Sequence, residues 1–520
     1  MVLFPEKGAL FDDMDMKKQV QNHIRWSRYG DRNEISLQEA QMRTFNNFIW
    51  RFAQTEGNYN FSSGSRGKGN LSSEANPYFL FPQIYNFRYN IFSSEWPVAN
   101  RVIELYLQKK SENGGWERQI NGISNNEKAV LLLEKRTFKE LLVDMELRNL
   151  QNNIVGQEAS RLFARAEINM GVEAFRDSLY SLLKRNTFLN IKFENMLDTL
   201  GEISRTDIRS LLGEWEKTTP LPFYSLGEPT LTKITNKGGE EFFVLKMLIS
   251  NNSDYDGIIH MDIRKDGWWY QPLEDPRAKT KIEMPAHTSK EFVSVWEDQI
   301  RNVEINTMVS GNLPNIISQD INNVKQERNK IVKDSIYILP ESSFDLPGEI
   351  IVDNEDSTLF ILSAPPIVGL LPKWLDEVEE TPFKYSGISW WRPPLQWTAT
   401  TNDRYYGKYI RSAFVIKSGD GSQTATWKVP VPEVGQYDLY YHVFKDDELR
   451  WNNNLQGEYH FKVKYGSEVE DAYVNLRKAN EGWEQLGSYY FDSDTVRVVL
   501  TDECKLRSVT ADAVKIVKRY

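Results

Sequence analysis

Gly435-Gln436-Tyr437-Asp438-Leu439-Tyr440-Tyr441-His442-Val443 decides the fold of the last third of this chain. Tyr437, Leu439, Tyr441 and Val443 recur with period two, which lines one face of a β-strand and cannot line one face of a helix. Working outward, Tyr459, Phe461, Val463 and Tyr465 repeat the pattern, as do Thr495 to Leu500 and Ala513 to Val517. Gly419-Asp420-Gly421 and Pro432-Glu433-Val434-Gly435 supply turn chemistry between strands. The region opens on the strand-like EIIVDNED, Glu349 to Asp356, and crosses a Pro- and Trp-rich insertion from Pro365 to Trp397. Many short strands at regular spacing predict a jelly-roll-like β-sandwich over residues 346–520.

Upstream the period changes twice. FFVLKMLI, GIIHMDI, EFVSVWE and VEINTMV alternate between Phe242 and Val309, with Asn251-Asn252-Ser253 and Asp256-Gly257 at the turns. They predict a small Ig-like β-sandwich over 218–312. Between Pro82 and Trp215 the spacing is helical: Phe138, Leu141, Leu142 and Met145; Phe175, Leu179, Leu182 and Leu183; Phe193, Met196, Leu197 and Leu200. Ser204 and Asp207 form a capping-box pattern ahead of Ile208. A helical domain over 76–217 follows. The charged stretch Ser318 to Asp334 reads as an exposed helix, so 313–345 is expected to connect the two sandwiches by a helix. Residues 1–75 read as a polar helix followed by a Gly/Ser-rich loop. The fold class is multidomain α+β.

With 63 Lys and Arg against 73 Asp and Glu, the formal net charge is −10, and no run of five or more cations appears. That balance opposes a nucleic-acid partner. The single cysteine, Cys504, excludes an internal disulfide and a cysteine-based zinc site. His23, His260, His287, His442 and His460 are scattered, with no pair at helical ligand spacing, so neither metal nor cofactor is expected. Neither GxSxG, nor a P-loop, nor GxGxxG occurs. The acidic runs Glu377, Glu379, Glu380 and Asp446, Asp447, Glu448 lack the alternate-oxygen spacing of an EF-hand and read as solvated faces. MVLFPEKGALFDD lacks the basic-then-apolar order of a signal peptide and fits a piece of a longer protein.

IVDNEDSTLF at Ile351, the long stretch from Trp397 to Phe444, GWEQLGSYYFDSDTVRVVLTD at Gly482 and TADAVKIV at Thr510 together resemble the golvesin-type domain found beside bacterial polysaccharide lyases such as xanthan lyase. The resemblance implies a carbohydrate-binding-like sandwich on exported or surface proteins, periplasmic or at the cell surface, with a polysaccharide or cell-envelope glycan as partner. Sugars are held by aromatic rings against their C–H faces and by amides on their hydroxyls. Trp390, Trp391, Trp397, Trp451, Asn452, Asn453 and Asn454 are the candidate ligand-binding residues, while Trp427 and Trp483, inside strand-like motifs, are expected in the core.

SSEWPVANRVIELYL at Ser93, the helical run Gly156 to Leu200 and the exit LLGEWEKTTPLPFY at Leu211 resemble the second half of a gluzincin zinc aminopeptidase, a kind of domain that also occurs fused to ABC-transporter permeases. That chemistry needs HExxH and a further glutamate ligand. By the family's spacing the HExxH window falls on Tyr78 to Pro82, the third-ligand position is Arg101, and NNIVGQEA stands where a tyrosine is expected before a helix near Ser160. Every catalytic position is empty. The expectation is a non-catalytic extracytoplasmic binding or assembly protein, a pseudoenzyme scaffold carrying a glycan module, with a membrane or ABC-permease segment as a further partner. The alternative is a metallopeptidase fragment or polysaccharide-degrading enzyme whose catalytic part lies upstream.

Overall fold

A computed structural model describes residues 16–27, 35–44, 90–107, 115–187, 189–235, 238–265, 271–321, 323–328, 332–340, 348–363, 383–389, 392–445 and 457–519. The fold is multidomain α+β. It divides into two compact units, one of Met1–Glu112 with Arg136–Thr218 and one of Asn113–Lys135 with Thr219–Tyr520.

The first unit is helical. Ala99–Leu107, Phe138–Val143, Gln151–Met170, Val172–Arg185 and Phe193–Ser204 are its main helices. Of the apolar positions read from spacing, Phe138, Leu141, Phe175, Leu179, Leu182, Leu183, Phe193, Met196, Leu197 and Leu200 are buried, and Leu142 is half-buried. Trp215 meets Trp96 and Phe138 edge-to-face at ring separations of 5.0 and 4.9 Å. Thr137 caps its helix by a reciprocal box with Glu140. Two sequence expectations change. The helix expected near Ser160 begins at Gln151 and contains NNIVGQEA. The box expected at Ser204 and Asp207 does not form: Ser204 ends the preceding helix, and Asp207 alone accepts from the Ser210 amide, at 3.1 Å, entering a 3-10 turn.

In the second unit, Thr230–Thr235, Glu241–Asn251 and Thr288–Trp296 form the centre of one sheet of the small sandwich. Gly257–Lys265, Ile300–Asn306 and Ile316–Asp320 form the facing sheet, with Lys279–Met284 beside Gly257–Lys265. The Asn251 amide closes the predicted turn by donating to Tyr255 O and Met284 O, both at 2.8 Å. The connecting helix expected over 313–345 is replaced by strands: Ile316–Asp320, Val324–Arg328 and Ser335–Pro340 extend the small sandwich at its edges. Charge in Val324–Arg328 is as natural on an edge strand as on an exposed helix, so charge density could not choose between them.

Among the described residues the C-terminal sandwich has twelve strands: β1 (Glu349–Val352), β2 (Phe360–Leu362), β3 (Thr398–Thr401), β4 (Ser412–Lys417), β5 (Thr424–Pro430), β6 (Gly435–Val443), β7 (Glu458–Tyr465), β8 (Glu468–Asn475), β9 (Gly482–Phe491), β10 (Thr495–Thr501), β11 (Ser508–Ala511) and β12 (Val514–Lys518). A four-stranded sheet runs β1-β12-β6-β9, a five-stranded sheet β2-β5-β10-β7-β8 and a short one β3-β4-β11. Tyr437, Leu439, Tyr441 and Val443 point inward against Tyr459, Phe461, Val463, Val498 and Leu500 in one continuous core. Full burial of each such side chain stabilises by about 1.5–3 kcal/mol. At the turn after β4, Gly419 is required by close approach: a Cβ there would lie 2.0 Å from Asp502 Oδ2, whose carboxylate accepts from the Gly421 and Gln423 amides.

Residues 113–135, expected in the helical domain, fold with the sandwiches. Glu127, on the helix Asn125–Lys135, is buried and accepts from Arg118 at 2.8 Å, from the Ser124 amide at 2.6 Å and from the Asn315 amide at 2.9 Å. The Thr401 hydroxyl donates to Gly122 O at 2.6 Å. One short helical hairpin thus bonds to both sandwiches.

Candidate functional site

Of the candidate ligand residues, Trp390, Trp391, Trp451, Asn452, Asn453 and Asn454 lie outside the described residues. Trp397 is described: it packs half-buried on the sandwich core, and its indole N–H finds no acceptor among the described residues. It is a packing residue more than an open platform. Trp427 is in the core as expected, completely buried and donating to Asp512 O at 3.2 Å.

Trp483 departs from expectation, for an identifiable reason. On β9, Tyr489 and Phe491 are buried, and strict alternation would place Trp483 inward with them. The register with β6 shifts between Leu439, opposite Gly487, and Tyr440, opposite Gln485. The extra residue, Leu486, forms a β-bulge that reverses parity, and Trp483 ends up opposite His442 on the outer face.

There Trp483 joins a half-buried aromatic group. Its ring lies 5.0 Å from Tyr406 and 5.2 Å, edge-on, from His442. Lys515, on β12, holds its Nζ 4.8 Å from the Trp483 ring and 5.3 Å from the Tyr440 ring. The same ammonium pairs with Glu349 of β1 at 3.0 Å. Further along β9, Tyr490 is exposed, and Gln485 and Ser488 hydrogen-bond Asp438 of β6. Beside the group Arg404 stacks over Phe444 at 4.5 Å and pairs with Glu481 at 3.4 Å. Rings, hydroxyls and amides therefore share one sheet face.

Beneath this face lies a polar network. Asp512, between β11 and β12, is fully buried; its carboxylate meets His442 Nδ1 at 2.9 Å and accepts the Tyr406 amide at 3.2 Å. Burial pushes the Asp512 carboxyl above its ordinary value, against the pull of His442 and the Tyr406 amide. Asp353, from the DNED segment after β1, is raised well above its ordinary value, first by burial and then by the charge of Asp512. Burial lowers the Arg411 guanidinium, which donates to Asp403 O at 2.7 Å. Glu355 receives Lys384 at 2.6 Å, the Tyr385 hydroxyl at 3.1 Å and the Ser412 hydroxyl. Burial and Glu355 keep the Tyr385 phenol protonated. The network holds the loop 402–410, and with it Tyr406, against the sheet. The sequence showed these histidine and carboxylate residues only as scattered letters, because Asp353, His442 and Asp512 meet through sheet pairing alone.

Among the described residues no three His, Cys, Asp or Glu side chains come together as a metal site. Burial raises the Cys504 thiol and so disfavours its thiolate. In the helical unit the window Tyr78 to Pro82 lies outside the described residues. Arg101 is buried and donates to Asn152 Oδ1 at 3.0 and 3.2 Å and to Glu104 at 3.3 Å. No described helix is long and apolar enough to cross a membrane.

No curated protein matches the chain. Among solved structures it is similar, at 11% identity and a TM-score of 0.18, to a β-glucuronidase of Bacteroides uniformis, covering 61% of this chain and 32% of that one. It is also similar to the Bacteroides uniformis β-glucuronidase 2 covalently bound to cyclophellitol-6-carboxylate aziridine, at 10% identity and a TM-score of 0.17, with the same coverage. The chain thus spans about a third of the length of these structures, and scores this low decide neither fold nor activity. The family comparison is specific: residues 393–518, which hold the aromatic face and most of the network beneath it, match the Golvesin C-terminal domain. The C-terminal sandwich thus carries a golvesin-type domain over residues 393–518.

Proposed function

We propose that the chain is a non-catalytic, extracytoplasmic binding or assembly protein whose C-terminal domain holds a glycan on the outer face of the four-stranded sheet. The bulge-driven exposure of Trp483 beside Tyr406 carries this reading. An indole costs a fold little when it packs in the core; partly exposed among Tyr406, Tyr440, His442 and Lys515, it offers a flat apolar face ringed by polar groups, which is what a pyranose requires. Full burial of Asp512 supports a positioning role for the network, since a carboxyl closed off by His442 and the Tyr406 amide has no path to a substrate. The helical unit, with Arg101 engaged by Glu104 and Asn152, serves as scaffold.

The test is a glycan array probed with the full chain, followed by fluorescence titration of any hit. Trp483→Ala is expected to weaken binding by about tenfold or more while leaving the thermal midpoint within a few degrees. An array without hits, or a Trp483→Ala protein that binds as well as the parent, overturns the assignment.

A further inference from the structure

The outer face of the other sheet carries a separate pattern. On β10 the side chains of Val496, Val498 and Leu500 enter the core, so Arg497 points out. On β5, Lys428 stands out between buried Trp427 and Val429, and on β7 Lys462 and Lys464 alternate with buried Phe461, Val463 and Tyr465. The register places Arg497 directly opposite Lys428 on one side and directly opposite Lys464 on the other. Three cations therefore stand in line across three adjacent strands, at strand spacings of about 4.8 Å, with Lys462 two residues along β7. Among the described residues none of the four forms an ion pair. The carboxylate opposite Lys462, Asp471, is engaged by His460 Nε2 at 2.7 Å.

Like charges directly opposite one another destabilise a sheet. A chain with 73 acidic residues has carboxylates enough to neutralise such a row, yet among the described residues the carboxylates beside it, Asp471 and Glu503, turn to His460 and not to the cations. Beside it, Tyr473 is exposed, with its ring parallel to His460 at 4.8 Å, so an aromatic surface adjoins the cations. Four cations on a flat sheet fall short of the roughly six to ten phosphate contacts that hold a protein on duplex DNA. A ring beside spaced cations suits a chain of sugars bearing acid groups.

We infer that the outer face of the five-stranded sheet binds an acidic polysaccharide, its anionic groups against Lys428, Arg497, Lys464 and Lys462 and a sugar ring against Tyr473. This surface is distinct from the Trp483 face on the four-stranded sheet, and the two stand or fall independently.

The experiment passes the full chain over immobilised polygalacturonate, dextran sulfate, neutral pullulan and duplex DNA, with elution by rising salt. Retention on either acidic polysaccharide, none on pullulan and weaker retention on DNA are expected; whichever acidic matrix holds longer assigns the acid as carboxylate or sulfate. Arg497→Glu with Lys464→Glu removes two cations from the row and is expected to weaken retention about tenfold. That variant relieves like-charge repulsion next to Lys428, so its thermal midpoint is expected to equal or exceed the parent's; Arg497→Gln with Lys464→Gln gives a milder step in the same direction. The inference is overturned if neither acidic matrix retains the parent, if both double variants elute with it, if pullulan retains it equally, or if DNA holds it longer.

Discussion

The helical unit answers its buried charges locally, whereas the C-terminal sandwich gathers them beneath a surface. In the first, Arg101 meets Glu104 and Asn152, and the Tyr106 hydroxyl meets Glu167 at 2.8 Å. The former is a contact within one helix that reaches over to Asn152, and the latter joins two neighbouring helices. In the second, Asp512, Asp353, His442 and Arg411 come from well-separated segments and hold the loop that carries Tyr406 against Trp483. The difference is one of use. A local pair stabilises its own helix contact, while a network fed by several strands fixes the shape of an exposed face.

The strongest way to break the second arrangement is from below. Trp427 is completely buried, lies tilted against Phe360 at a ring separation of 5.3 Å and donates to Asp512 O. Trp427→Ala opens a cavity and frees that carbonyl, so a loss of about 4 kcal/mol in urea unfolding is expected, together with loss of any glycan binding. Trp483→Ala, half-buried on the outer face of the other sheet, is expected to cost about 1 kcal/mol. A comparable loss for both would place Trp483 in the core.

The corresponding break in the helical unit is Arg101→Leu. Glu104 is fully buried, and removing its guanidinium takes away the cation that faces its charge, leaving neutral donors such as the Asn100 amide, which is expected to cost about 3 kcal/mol. Arg101→Leu combined with Glu104→Leu is expected to recover much of the loss, because apolar replacement of both partners removes the stranded charge. A double variant as unstable as the single one would show that Asn152 or packing, and not the ion pair, sets the contact.

How much of this was legible in the sequence follows from what each feature depends on. Period-two runs such as Tyr437 to Val443 and helical runs such as Phe175 to Leu183 depend on burial alone, and their inward residues were readable one by one. The bulge at Leu486 was not, since one unpaired residue leaves no mark in composition yet reverses the face of Trp483. The strands between Ile316 and Pro340 were read as helix because charged edge strands and charged helix faces use the same residues. The candidate site suffered most, for it consists of cross-strand meetings: His442 with Asp512, Arg497 with Lys428 and Lys464. Register, not spacing, creates them.

A smaller and pH-dependent effect sharpens the comparison further. Asp353 is held above its ordinary carboxyl value in the folded protein by burial and by Asp512. A carboxyl raised on folding binds more protons folded than unfolded. Its contribution is therefore favourable at low pH and is lost as pH climbs from the ordinary aspartate value, near about 3.9, through the raised folded one. Asp353→Asn keeps a side-chain oxygen for the Asn354 amide, now accepted at 2.7 Å, and removes the titration. Urea midpoints measured from pH 3 to pH 8 are expected to show parent and variant close at the acid end and the variant gaining as pH rises. A constant difference across that range would mean that Asp353 does not share the field of Asp512, and the network would then reduce to separate pairs of the kind the helical unit already contains.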